Sequence, residues 1–255
     1  MDTRDWLSYF ETNAAQVLRP APEAYALTAE ERARIASSIQ GFQIGEASEG
    51  AHLRAGAEEF ARRTGNTDYP AAIACLIREE NRHSAYLGAF MRHHELPFAR
   101  AKWTDDVFRA LRRGAGIELS LRVLVTAELV AVTYYDCLAA ATGSGMLKTI
   151  CRRMLDEEAR HVEFQMHHVH WMNLQHGFVR SALANVAHAV LMAGTIVVVW
   201  FEHRRVLRIK HGLAAFFWRV FGDFLAAMYA GARSALEMMG EPEPDLPLVS
   251  RRGVA

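Results

Sequence analysis

Apolar residues recur at every third or fourth position through most of the chain, and no stretch alternates as a half-buried strand would. This period predicts an all-α protein. Thr28 and Glu31 have the Thr-x-x-Glu spacing of a capping box, and the stripe Ile35, Ile39, Phe42 continues to Leu53 and Phe60, so one long first helix is expected. Gly65, a polar turn and Pro70 stop it and open a second helix that should run to about His94. The polar run after Trp103 predicts a short helix through Arg113, broken at Gly114 and Gly116 before a third long helix that ends near Ala141. A fourth is expected from Met146 to about His176. Two apolar helices should follow over 178–210 and 213–239, and the proline-containing tail reads as irregular.

The second and fourth helices carry the chemistry. On the second, the stripe Ile73, Leu76, Glu80, His83, Leu87, Phe90 places a carboxylate and an imidazole where core residues belong. On the fourth, Leu147, Cys151, Met154, Glu158, His161, Gln165 and His168 repeat the same Glu-x-x-His pair. The third helix sets Glu128 among Leu121, Val125 and Val132, and the first sets Glu46 and Glu49 between Phe42 and Leu53. Burying this many acids and imidazoles together is prohibitive unless a cation compensates them. Four carboxylates balance two divalent ions, and a mixed oxygen and nitrogen donor set suits iron or manganese.

Charge and cysteine content narrow the alternatives. Lys+Arg and Asp+Glu cancel at 29 each, which leaves no basic excess for nucleic acid. Three scattered cysteines without a Cys-x-x-Cys argue for a reducing compartment and against a zinc ribbon. The charged N-terminus lacks an apolar signal segment, so a cytoplasmic location is expected.

The order Glu, Glu-x-x-His, Glu, Glu-x-x-His over residues 46–161 resembles the ferritin-like di-metal carboxylate proteins, and within them rubrerythrins, demethoxyubiquinone hydroxylases and aldehyde-deformylating oxygenases. The resemblance implies a ferritin-like four-helix bundle over residues 28–177, preceded by an N-terminal segment (1–27) and followed by two additional C-terminal helices packed on it (178–240) and a tail (241–255). It implies two iron ions, with manganese an option, held by Glu80, His83, Glu128, Glu158, His161 and a glutamate of the first helix. Glu46, which follows Gly45 as the first ligand commonly follows a glycine in these families, is preferred, while chain geometry favours Glu49. It also implies dioxygen chemistry on an apolar small molecule, with electrons from a separate donor. Iron storage and a non-catalytic helical protein stand as the alternatives.

Several residues rank lower. Tyr135 lies seven positions beyond Glu128 and could bond a ligand or pack in the core. His168 could touch the site or end the bundle, and His52 could pair with Glu49 or lie at the surface. Asp156, Glu157 and Arg160 could support the ligands or be solvated. Cys75 and Cys151 need no role beyond packing. Residues 182–201 are apolar and long enough to span a bilayer, but Asn185, His188 and the later Arg219 and Asp223 weigh against a span. Packing on the bundle is expected, with a homodimer face or a peripheral membrane contact as further roles.

Overall fold

The structure, a computed structural model, describes residues 2–47, 50–99 and 116–238, with the side chains of 234–238 excepted. Every regular element among them is helical: α1 (Thr3–Ala14), α2 (Ala29–Glu46), α3 (Ala51–Thr64), α4 (Tyr69–His93), α5 (Ile117–Ala140), α6 (Gly145–Leu174), α7 (Phe178–Leu207) and α8 (Leu213–Met238). The short helix expected before Arg113, the tail and Glu49 lie outside the described residues.

Two expectations change. The N-terminal segment contains a helix: Asp2 and Asp5 cap α1 reciprocally, and it buries Trp6, Phe10 and Asn13 at steps of four and three. The first long helix is two helices. The capping box of Thr28 and Glu31 forms and starts α2 as expected, but the chain leaves the helix after Glu46, with Ala47 extended. α3 restarts at Gly50, which has a φ of 63° that a side chain rarely tolerates. A continuous apolar stripe could not reveal this interruption, because both pieces bury the same face, with Ile35 and Ile39 before it and Leu53, Ala57 and Phe60 after it.

Cross-helix hydrogen bonds give the helix directions. Gln43 meets Ser84 and Arg32 meets the carbonyl of Glu95, so α2 and α4 are antiparallel. Ser38 meets Tyr134 and Arg34 meets the carbonyl of Ala141, so α2 also opposes α5. Arg122 bonds Asn173 and Gln165 bonds Glu128, which sets α5 against α6. Hence α4 and α5 point the same way. Two apolar clusters fill the interior. One is built on Trp6, Phe10, Phe60, Tyr69 and Phe164, the other on Ile35, Phe90, Tyr134, Leu147 and Met192. Between them on α4 and α6, the core turns polar.

α7 packs on α5 and α2, and α8 packs on α6, α7 and α5. By length and composition α5, α7 and residues 213–233 of α8 could each cross a membrane. Most of α5 is buried in the molecule, whereas α7 and α8 bury only their inner faces.

Candidate metal centre

Four helices bring their acids to one point. Glu46 ends α2, Glu80 and His83 lie a turn apart on α4, Glu128 is mid-way along α5, and Glu158 and His161 lie a turn apart on α6. Donor atoms of Glu46, Glu80, His83 and Glu158 fall within 4.8 Å of one another, as do those of Glu80, Glu128, Glu158 and His161. The two groups share Glu80 and Glu158. Each could hold a metal ion, and a carboxylate common to both has one oxygen to give each ion.

The atoms that face the centre make no well-directed hydrogen bond. His83 Nδ1, His161 Nδ1, Glu80 Oε1, Glu128 Oε2 and Glu158 Oε2 are all buried without a hydrogen bond. His83 Nδ1 nonetheless stands 3.1 Å from Glu158, and His161 Nδ1 2.9 Å from Glu80. Five unsatisfied donor atoms converging in one buried space is the arrangement that a cation satisfies, and the donor set therefore fits the ions that its chemistry implies.

Around this centre the two helices support each other reciprocally. His83 Nε2 lies 2.9 Å from Glu157 of α6, and His161 Nε2 lies 2.9 Å from Glu79 of α4. Each imidazole thus donates its Nε2–H to a carboxylate and turns Nδ1 inward, so that loss of the Nδ1 proton leaves a lone pair aimed at the centre, with the basicity of that nitrogen raised by the carboxylate behind it. The Asn13 amide donates to Glu79 and to Glu157, at 2.7 Å each, while its carbonyl accepts from Arg153. Arg82 bonds Glu79 at 2.9 Å and pairs with Glu157 at 3.3 Å, and Arg153 pairs with Glu157 at 2.7 Å. The negative charge of the supporting carboxylates is therefore neutralised from outside the centre. On the remaining ligand helices the Tyr135 hydroxyl donates to Glu46, and the Gln165 amide donates to Glu128.

Protonation follows from these contacts. Burial, with Glu80 and Glu158 close by, pushes the Glu46 carboxyl up to about 8. Burial raises Glu128 well above the carboxylate range too. Glu158 is equally buried, but its contacts with His161 and His83 outweigh that and hold it down at about 2. Burial would neutralise His83 and His161, yet the carboxylates around each keep it protonated well above the ordinary range. In the absence of an ion, protons take the cation's place.

The structure separates the lower-ranked residues. Tyr135, Gln165 and Glu157 touch or support the cluster. Asp156 and Arg160 are exposed, and Arg160 pairs with Glu163 at 2.6 Å. His52 is exposed as well. His168 packs against Tyr69 and Phe164 with its Nδ1 on the carbonyl of Phe164, and burial lowers it to about 3. Cys75 and Cys151 are buried thiols that burial raises. Glu79, Arg82, Arg153 and Asn13 were not anticipated. A signal for Glu79 and Glu157 was present: both motifs read Glu-Glu-x-Arg-His, and the first glutamate of each is the one that crosses to the other helix's histidine. Asn13 left no such trace, since its role depends on where α1 docks.

A cavity of about 130 Å³ adjoins the cluster. Glu46, Glu80, Glu128 and Glu158 form one wall, Val123, Ala127 and Ala131 of α5 another, and Thr195, Val198 and Val199 of α7 a third. Comparison with known proteins found no matching family model, no similar curated protein and no similar solved structure.

Proposed function

We propose that the protein is a ferritin-like di-metal carboxylate oxidoreductase that uses dioxygen on a small apolar molecule, with two iron ions, or iron and manganese, as its cofactor. The observation that carries this reading is the pair of four-donor groups sharing Glu80 and Glu158. The helix directions support it: α2 opposes α4, α5 opposes α6, and α4 and α5 run parallel, directions compatible with a ferritin-like bundle.

Two such ions would supply the electrons that reduce dioxygen. The chain's own part is binding, orientation and the exclusion of water. Glu46, Glu80, Glu128 and Glu158 supply four negative charges against two divalent cations, and His83 and His161 add one nitrogen to each group. Tyr135 holds a proton on its hydroxyl at Glu46, where burial and the neighbouring carboxylates keep the phenol from ionising. Gln165 orients Glu128. The cavity favours an organic substrate over iron storage, because apart from Glu128 its α5 wall is apolar, Val198 and Val199 of α7 face it beside the polar Thr195, Glu202 and His203, and its size suits a molecule of benzene's order. Electrons would come from a separate donor, as the three cysteines include no Cys-x-x-Cys.

Anaerobic loading with ferrous iron, metal analysis, and optical spectra before and after exposure to oxygen test the reading together. Two metals per chain and an oxygen-dependent spectral change are expected. Glu80→Ala and Glu158→Ala should each abolish stoichiometric binding, since each removes a donor shared by both groups. Two metals retained by both variants would overturn the assignment.

A further inference from the structure

We propose that the outer face of α7 and α8 docks on an anionic lipid surface, with α7 lying in the plane of the interface. Val179, Leu183, Val186, Val190, Val197 and Phe201 follow one another by three, four or seven residues on the side of α7 opposite the buried Met192, Ile196 and Trp200. Val190 is 68% exposed and Phe201 58%. At about 1.5 Å per residue this stripe is roughly 33 Å long. α8 continues it with Trp218, 69% exposed, Leu225 and Tyr229. Apolar surface of this extent marks an interaction site.

Charge identifies the occupant. Residues 178–238 contain seven Lys/Arg against three Asp/Glu, in a chain whose totals cancel. Arg180 opens the stripe, and the exposed Arg204, Arg205, Arg208 and Lys210 close it, with no charged residue from 181 to 201. Cations at the ends of an apolar stripe, with Trp218 and Tyr229 beside it, match the layer where acyl chains meet anionic headgroups. A second copy seated by a two-fold axis, with its α7 parallel or antiparallel, would bring basic end against basic end. A span is opposed by the inner face of α7, where Asn185 and His188 bond the buried Arg122 and His203 bonds Ser38, all within the protein.

One consequence rests on the proposed oxidoreductase reading. α7 presents Thr195, Val198 and Val199 to the cavity, so a single helix separates the docked lipid from the space beside the carboxylates. A molecule dissolved in the bilayer would reach that space with little exposure to water. The docking itself needs neither the metal nor the substrate.

Flotation of the full-length protein with phosphatidylcholine vesicles, with and without phosphatidylglycerol, tests the docking. Binding to the anionic vesicles is expected with or without bound iron, weakened by salt and reversed by alkaline carbonate. The double variants Val186→Asp/Val190→Asp and Arg204→Glu/Arg208→Glu should each lower partitioning by about tenfold or more. These positions are exposed, so helix content by circular dichroism and metal content should stay at wild-type values. Unchanged partitioning in both variants would overturn the proposal. So would a stable dimer that ignores vesicles and dissociates in the Asp variant, or a protein that resists carbonate. Because vesicle binding is read on the metal-free protein too, failure of the metal reading and failure of the docking give different results.

Discussion

Glu46 shows how burial shifts the proton equilibrium of a carboxylate at a candidate metal centre. In the metal-free protein its carboxyl keeps a proton up to about pH 8, because burial and the charges on Glu80 and Glu158 oppose ionisation. An entering cation has to displace that proton, and those that the surrounding carboxylates hold on His83 and His161. The sign is fixed: lowering the pH stabilises the protonated, metal-free form. Metal affinity should therefore fall as pH drops through about 8, with protons released into weakly buffered solution on binding. A metal titration followed by isothermal calorimetry at several pH values checks this. Affinity that does not vary between pH 6 and 8 would contradict the arrangement of protons at the centre. Glu46→Gln should bind metal more weakly.

At the scale of the element, the interruption between α2 and α3 places Glu46 at a helix end. α2 stops at Glu46, so this side chain lies at a helix end, where the Tyr135 hydroxyl reaches it. The return to helix depends on Gly50. Its φ of 63° is left-handed, and a Cβ there would stand 2.5 Å from the Ile77 side chain, well inside contact distance. Gly50→Ala should therefore cost about 1–3 kcal/mol of stability. Under the proposed metal reading it should also weaken metal binding, since Gly50 lies four residues beyond Glu46. Denaturant unfolding of the variant measures the first effect, and unchanged stability would show that the turn adapts. Within α4 and α6 the order Glu-Glu-x-Arg-His does the corresponding work: each helix gives one glutamate to the centre and one to its partner's histidine.

The whole molecule combines a polar centre, two apolar clusters and a pair of outer helices. α7 and α8 are integral to this packing. Met192, Ile196, Trp200, Phe216, Val220 and Phe224 are buried in the same cluster as Val125, Tyr134 and Met154. Removing residues 178–255 would strip that cover, open the cavity to water and expose the apolar residues of α5 beneath it. The truncated protein should aggregate, or elute as large soluble assemblies in size-exclusion chromatography. A monodisperse, fully helical product would show that the outer helices are an appendage.

Much of this protein was legible along the chain. Period, capping box and the turn at Gly65 gave the helices, because such signals act over a few residues and do not depend on distant partners. The ligand-type residues were equally visible: an acid or imidazole on an apolar stripe conflicts with its neighbours, and the conflict is repeated on α4 and α6. Glu80, His83, Glu128, Glu158 and His161, brought together by the fold, stand out from that conflict alone, whereas the conflict leaves Glu46 beside Glu49 and only the family resemblance prefers Glu46. Other features needed the third dimension. The break after Glu46 preserves the face of the stripe and leaves its period readable, and α1 is too short for its docking to be inferred from its own pattern. Asn13 acquires its role only because α1 packs on α4 within reach of Glu79 and Glu157, residues 66 and 144 positions away in the chain. Local order is written in local spacing; which groups neutralise one another is set by the packing of helices whose separation along the chain exceeds any window of periodicity.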